Sequence, residues 1–253
     1  MDQHLAKEAA GILVSGKYSI AFTGAGISAE SGIPPFRGEG GIWNKYDPRM
    51  LDIGFFLIQP AESWQAIRDI FYTYFATIKP NAAHRTLAKW EQNGLINSVI
   101  TQNIDNLHRD AGNKTIFEFH GNLCRLICID CATPYEAGNV DLSMLPPYCP
   151  SCLGLLKPDF VFFGEGIPQE AFNRSTEAAM NCDVMLIIGT SGEVAPANQL
   201  PLIAKRKGAT IIEVGMEPST YTHSITDVFL LGKAGEVLPV MDKYITELQS
   251  NQQ

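Results

Sequence analysis

Apolar residues first recur at helical spacing near the N-terminus, with Leu5, Ala9, Ile12 and Leu13 on one stripe of residues 3–16 and Gly16 as the stop. The pattern then changes. Ser19-Ile20-Ala21-Phe22-Thr23 is a short unbroken run, which predicts a buried strand, and it leads straight into Gly24-Ala25-Gly26. The spacing predicts helices over 60–78, after Gln59-Pro60, and over 81–93, after Pro80 and ending at Asn93-Gly94. Residues 95–101 and 115–119 read as strands. Beyond them the pattern predicts a strand at 160–163, a helix at 168–181, a strand at 184–188, a helix at 196–207, a strand at 210–214 and a last helix near 235–249. Strands alternating with helices define an α/β class, with a parallel sheet covered by helices on both faces. Residues 122–157 lack such periodicity and contain Pro146-Pro147, so they read as a small insert within the sheet domain.

Composition narrows the class of function. The chain has 253 residues, of which 45% are apolar and 18% charged, enough to bury a core and too apolar for a disordered chain. Lys+Arg less Asp+Glu is 19 − 27 = −8, which disfavours nonspecific nucleic acid and anionic membrane surfaces but suits a basic polypeptide partner. No apolar run reaches the roughly 18 residues of a membrane span. The opening MDQHLAKEAAGILVSGKY lacks the basic, apolar and small-residue regions of a signal peptide, so a reducing cytoplasm is the expected compartment.

The cysteines add a metal. Cys128-x2-Cys131 and Cys149-x2-Cys152 are spaced so that two tight turns present four thiolates to one tetrahedral zinc ion. With every position taken by sulfur no water is left to activate, so the zinc is structural. Cys124 lies close enough to compete as a ligand but has the poorer spacing, and Cys182 reads as a core residue.

Gly24-Ala25-Gly26-Ile27-Ser28-Ala29 follows the first predicted strand and matches G-x-G-x-x-G/A, where glycines permit a tight turn and close approach of backbone N–H groups to a pyrophosphate. A strand-to-helix turn without ligand reads equally well from these residues alone. No acidic residue about 20 positions on ends a second strand to hold a ribose, since Asp47 and Asp52 lie in a Pro- and Gly-containing stretch. An ordinary dehydrogenase is therefore disfavoured. Glu30-Ser31-Gly32-Ile33-Pro34-Pro35-Phe36-Arg37-Gly38 combines a hinge, a stiffener, an aromatic shield and a cation, the makings of a cover over a ligand. Thr101-Gln102-Asn103-Ile104-Asp105-Asn106-Leu107-His108 begins at the carboxyl end of a predicted parallel strand, where open α/β sheets bind ligands. His120-Gly121 follows the strand at 115–119; a histidine there is a candidate general base, whereas His84 and His108 read as structural.

These segments occur in sirtuin order, together with Lys157-Pro158-Asp159, Phe163-Gly164-Glu165 and Gly189-Thr190-Ser191. From about residue 5 to residue 245 the chain resembles the sirtuin family of NAD-dependent protein lysine deacylases. The resemblance implies a Rossmann-like NAD-binding domain made of residues 1–38, 94–121 and 158–253. It also implies a smaller domain made of a helical insert, 39–93, and the four-cysteine zinc insert, 122–157, with acylated lysine entering the cleft between. NAD is then a co-substrate. The acyl oxygen attacks the ribose carbon that bears nicotinamide, an alkylimidate forms, and His120 deprotonates the ribose hydroxyl that attacks it. Lysine and O-acyl-ADP-ribose result.

The same resemblance places Asn103 and Asp105, catalytic together with His120, at a nicotinamide pocket with Ile104 between them, and Gln102 on the ribose. It assigns Gly24, Ala25, Gly26, Ser28, Ala29, Phe36 and Arg37 to the rest of the cofactor's reactive half, and Gly189, Thr190 and Ser191 to phosphates and ribose. Gly215 and Ala234 complete the cofactor set. Val161-Phe162-Phe163-Gly164 and Gly192-Glu193-Val194 become the two edges that sandwich the substrate backbone.

The chain departs from the family pattern in three ways. Pro35 replaces an Asp, Glu213-Val214-Gly215 lacks the Asn that usually follows this strand, and Arg68 and Phe71 stand where relatives acting on succinyl or malonyl groups carry Tyr-x-x-Arg. The expected activity is thus removal of an uncharged acyl group, acetyl first. Protein ADP-ribosylation, or a binding module without turnover, uses the same residues.

Overall fold

A computed structural model of the protein describes residues 2–34, 41–73 and 78–250. Helix α1 (Gln3–Ser15) starts on Asp2, whose carboxylate accepts from the N–H groups of His4 and Leu5, and it ends at Gly16 as its apolar spacing predicts. Strands β1 (Ser19–Thr23), β2 (Ser98–Thr101) and β3 (Ile116–Glu118) belong to the large sheet. Strands β4 (Gly121–Cys128), β5 (Pro134–Glu136) and β6 (Leu156–Phe160) form a separate small one. Strands β7 (Val184–Ile188), β8 (Thr210–Gly215) and β9 (Val228–Leu231) return to the large sheet, whose order is β3-β2-β1-β7-β8-β9 with every pairing parallel.

Alternation along these strands builds two cores. Ala21, Val99, Leu186, Ile188, Ile212 and Val214 face one side, against α1, α4 (Ala82–Gln92) and α8 (Ala234–Ser250). Ile20, Phe22, Ile100, Met185, Ile187 and Ile211 face the other, against α6 (Gln169–Asn181) and α7 (Gln199–Arg206). Covered on both faces, β1 and β7 are buried at every residue, which is why they read as unbroken apolar runs. Each Ile, Leu or Phe buried this way contributes about 1.5–3 kcal/mol. The strand order reverses between β1 and β7, which opens a crevice at their carboxyl ends.

The small sheet, antiparallel in the order β5-β4-β6, shares a core with residues from before Pro80. Helices α2 (Ile53–Ile58) and α3 (Pro60–Ile67) bring Phe56, Trp64 and Ile67 onto Leu126, Leu156, Phe160 and Phe162. Trp64 donates its indole N–H to the Leu156 carbonyl at 2.8 Å. The strand expected at 160–163 falls instead at Leu156–Phe160, in the small sheet, because β6 pairs with β4 and not with β1 or β7. Helix α4, expected in the insert 39–93, puts Ala83, Leu87 and Trp90 into the core of the large sheet. The helix expected over 60–78 is broken: α3 ends at Ile67 and gives way to a π-helical turn, Arg68–Tyr72, while 74–77 lie outside the described residues. Among the described residues, no helix is long and apolar enough to cross a membrane.

His84, on α4, and His108, on α5 (Leu107–Ala111), are buried with ring centroids 4.9 Å apart. Thr23 Oγ1 lies 2.9 Å from His108 Nε2 and donates to Thr101 Oγ1, while Asn81 N–H donates to His84 Nδ1. Burial pulls His84 to about 2 and His108 to about 4, so both rings are neutral in the folded chain. Unfolded, they titrate near 6.5. Their stabilising neutrality is therefore intact above pH 6.5 and is lost progressively as pH falls toward 4, at up to about 1.4 kcal/mol per ring per pH unit. The thermal midpoint is expected to fall between pH 7 and 5, and a His108→Gln variant to show a shallower dependence; parallel curves for the two proteins would contradict this.

Candidate active site

The crevice is framed by backbone. Gly24 N–H donates to the Ile188 carbonyl at 3.0 Å, Gly26 N–H to Gly189 at 2.8 Å, and Gly189 N–H to Val214 at 3.0 Å. A Cβ on Gly26 would lie 2.7 Å from Gly189 Cα, and Gly189 itself has a φ of +61°. The glycines of the G-x-G motif therefore serve first to interlock the ends of β1 and β7. The segment that follows, Ala25–Ser31, is a 3-10 helix and not an α-helix. Ala25 is half-buried, and Gly26 and Ala29 are exposed along its rim.

Polar side chains meet over this frame. Ser28 Oγ donates to Asp105 Oδ2 at 2.6 Å, and Asn103 Nδ2 donates to the Gly24 carbonyl at 3.1 Å and to Ser28 Oγ at 3.2 Å. Asp105 Oδ1 accepts the Leu107 N–H at 3.0 Å. Burial pushes the Asp105 carboxyl above its ordinary value, opposed by these two bonds. Gln102 Nε2 donates to Thr190 Oγ1 at 3.0 Å, so the turns after β2 and β7 are tied across the crevice. The Ile104 carbonyl accepts Leu123 N–H at 2.9 Å, and its side chain packs at the margin of the small core. Ser191 is exposed beside Thr190.

His120 follows β3 and precedes Gly121, whose φ of +78° and contact with the Asp159 carbonyl leave no room for a side chain. Its Nδ1 lies 2.9 Å from the Gln102 carbonyl oxygen. A carbonyl only accepts, so Nδ1 carries the proton and the neutral ring keeps its lone pair on Nε2. Burial pulls His120 below the ordinary imidazole value, against the Gln102 bond, which keeps that lone pair available at neutral pH.

The two expected substrate edges are built differently. Phe162 is buried in the small core, stacked on Phe160 at 5.0 Å and edge-on to Phe56 at 5.2 Å, so its side chain does not face the crevice. Phe163 is 46% exposed, and its N–H and carbonyl pair with Leu51 and Ile53. Among the described residues, neither the Val161 carbonyl nor the Gly164 N–H has a hydrogen-bond partner. On the other edge Gly192 is buried, its carbonyl accepting Thr220 Oγ1 at 3.2 Å, and Glu193 and Val194 are exposed.

Gly215 ends β8 and accepts Gly232 N–H at 2.9 Å through its carbonyl; Ala234 puts its methyl group into the core at the start of α8. Phe36 and Arg37, with Pro35, lie outside the described residues. Sequence reasoning gave no role to Glu213, a buried carboxylate that accepts from the hydroxyls of Ser219, Thr222 and Thr226 and holds the loop after β8 together. Nor did it pair the buried Lys157 with the half-buried Glu165, 3.0 Å apart. The signal for that pair was that both residues stand in segments of the family pattern, Lys157-Pro158-Asp159 and Phe163-Gly164-Glu165.

Cys128, Cys131, Cys149 and Cys152 offer four sulfurs within 4.8 Å of one another, with Cys128–Cys152 at 3.5 Å and Cys131–Cys149 at 3.7 Å. A tetrahedron of Zn–S bonds near 2.3 Å has edges of about 3.8 Å, so the set fits zinc closely. Tyr135 contributes a hydroxyl 3.0 Å from Cys149 Sγ. Cys124 is an exposed residue outside the cluster, and Cys182 is buried as expected.

A Rossmann-type crevice, a half-buried imidazole beside it and a four-sulfur module define a nucleotide-dependent enzyme architecture, and similarity narrows it further. A family model described as the Sir2 family matches residues 24–196. The NAD-dependent protein deacylase of Pyrococcus furiosus is 43% identical over 251 residues, spanning 95% of this chain and 98% of the relative. NAD-dependent protein deacylase 2 of Pyrobaculum aerophilum is 44% identical over 234 residues, spanning 91% and 92%. A Sir2 homologue in complex with ADP-ribose superposes with a TM-score of 0.91 at 37% identity, over 99% of this chain and 98% of that one. A Sir2–p53 peptide–NAD complex gives 0.86 at 36% identity, over 96% and 98%. The chain belongs to the Sir2 family.

Zinc in this site adds folding energy directly, so stripping it or replacing Cys149 with Ser is expected to cost several kcal/mol and to yield an insoluble or low-melting protein. Elemental analysis should give one zinc per chain; a soluble, zinc-free protein with unchanged melting would contradict a structural role.

Proposed function

We propose that this protein removes acetyl groups from lysine side chains of proteins at the expense of NAD, with His120 as the general base. NAD-dependent protein deacylation is the activity of the family members to which it is similar; the acyl group and the residue roles are inferred from this chain. The observation that carries the reading is the Nδ1–H bond from His120 to the Gln102 carbonyl, which leaves the lone pair on Nε2.

NAD, when bound, supplies an electrophilic ribose carbon and nicotinamide as leaving group. The chain's own residues prepare that chemistry. Asn103 and Asp105, held through Ser28, set an amide and a carboxyl in the pocket for a carboxamide. Gln102 and Thr190 present hydroxyl- and amide-bearing heads toward a ribose, and Ala25 and Ser191 line the rim. Glu213, inside β8, is consumed by three hydroxyls and is not available to hold a ribose as the carboxylate of a hydride-transferring Rossmann enzyme does. His120 Nε2 accepts the proton of a ribose hydroxyl. The Val161 carbonyl and Gly164 N–H are free for main-chain pairing with a substrate strand, which tolerates many sequences around the lysine.

An uncharged acyl group follows from the helix before Pro80. Arg68 is spent on Gln65, Asp69 and the Leu142 carbonyl, and Phe71 is buried edge-on to Phe160. Neither is placed to meet a substrate carboxylate.

Nicotinamide release against acetyl-, butyryl-, succinyl- and long-acyl-lysine peptides is expected to favour acetyl and to be weakest with succinyl; label from NAD retained on protein would instead indicate ADP-ribosylation. His120→Ala should fold normally and lose about two orders of magnitude or more in turnover. Because burial lowers the His120 pKa, the acid limb of kcat/KM should lie below pH 6.5; a limb at or above that value, or near-normal turnover in the variant, would refute the assignment.

A further inference from the structure

Lys157 lies on β6 opposite Ile127 of β4 and is 6% exposed. Its ammonium has three protons and three oxygen acceptors: the Pro158 carbonyl at 2.9 Å, the Phe160 carbonyl at 2.7 Å and Glu165 Oε2 at 3.0 Å. It also sits 4.2 Å from the centre of the Phe162 ring. Glu165 Oε2 accepts a second bond, from Phe162 N–H at 2.7 Å. The Glu165 N–H in turn donates to the Phe162 carbonyl at 3.0 Å, closing a turn whose third residue, Gly164, has a φ of +86°.

This pair pins the middle of a segment already tied at both ends. Val161 N–H donates to the His120 carbonyl at 2.9 Å, and Phe163 is fastened to Leu51 and Ile53 at 2.8 and 3.0 Å. Stability alone does not call for a charge here. The surrounding side chains, Phe56, Phe160 and Phe162, already pack face and edge, and buried ion pairs can often be replaced by apolar residues without loss. What an apolar residue cannot do is hold two carbonyls and deliver a carboxylate to the Phe162 N–H. With that N–H committed, the segment presents one donor and one acceptor outward, Gly164 N–H and the Val161 carbonyl. Freed, Phe162 N–H would be a donor turned inward without a partner, and the Phe162–Glu165 turn that sets the Gly164 N–H would lose its anchor.

We infer that the pair formed by the buried Lys157 ammonium and the half-buried Glu165 carboxylate is a positioning device that fixes the geometry in which the Val161–Gly164 edge receives an acyl-lysine polypeptide. The inference rests on the deacylase reading, because only that reading makes this edge a substrate strand. The partners of the pair, Pro158, Phe160 and Phe162, belong to β6 and the edge itself, so the pair is expected to act on peptide and not on NAD.

The test uses the full-length, zinc-loaded protein and its Glu165→Gln and Lys157→Met variants, with a fluorescein-labelled acetyl-lysine peptide. Glu165→Gln keeps an oxygen for the Phe162 N–H but removes the charge that anchors it to Lys157. Loss of a charged hydrogen bond predicts about a 10-fold rise in peptide Kd and peptide KM, with NAD KM changed less than about 2-fold. The double variant should resemble the worse single one, since both break the same unit. A folded Glu165→Gln protein with unchanged peptide Kd overturns the inference, as does an equal rise in both KM values, which marks general slackening. Should Lys157→Met fail to fold, Glu165→Gln decides alone. A wild-type protein that binds the peptide but never deacylates it sinks the deacylase reading, while the polarisation comparison still judges the pair.

Discussion

A single hydrogen bond organises the chemistry: the Nδ1–H of His120 donated to the Gln102 carbonyl at 2.9 Å. It chooses the tautomer, aims the ring and joins the carboxyl ends of β2 and β3 at the point where the polypeptide leaves the large sheet for the small one. Several otherwise separate features are needed for it. Gln102 is held by its own N–H on the Thr23 carbonyl at 2.9 Å and by its side chain on Thr190. Gly121 must take a positive φ so that the chain can turn away directly behind the imidazole. Val161 reaches back to the His120 carbonyl from the other sheet, so the base and the substrate edge share one backbone contact.

The large sheet dictates what can occupy the crevice. Its reversal between β1 and β7 places two glycine-containing turns against each other, and their backbones touch so closely that neither tolerates a Cβ. This resolves an ambiguity in the G-x-G motif: the glycines have a packing duty whether or not a phosphate is present. The small sheet has no comparable continuous apolar strand and leans on Trp64, Phe56 and a zinc site for its core, which suits an element that must present an edge to a polypeptide.

How much of this could be read from residues alone depends on periodicity. The unbroken runs of β1 and β7 and the long amphipathic helices α1, α6 and α8 declare themselves, because burial on both faces of a strand leaves a continuous apolar run and burial of one helix stripe leaves a period of 3.6. The cysteine spacing shows equally well, since metal geometry acts over a few residues. The small sheet did not. Pro158 within β6 and the antiparallel register between β4 and β6 conceal a strand whose partner lies some 30 positions earlier. Residues 160–163 look like a strand because Phe160 and Phe162 are buried, yet the pairing ends at Phe160. The sequence position of α4, between α3 and β2, does not say which core it joins; its Ala83, Leu87 and Trp90 pack with the large sheet. Lys157 and Glu165 stand in motif segments, yet spacing alone does not show that they pair, and the role of Glu213 lies in the hydroxyls of the loop after β8.

The most direct test of the central arrangement is the protonation of the His120 ring itself. In a histidine-labelled protein, a long-range proton–nitrogen NMR spectrum at pH 7, assigned with the His120→Ala variant, should show a protonated Nδ1 and an unprotonated, lone-pair-bearing Nε2. A ring protonated on Nε2, or carrying both protons at that pH, would contradict the placement of the base.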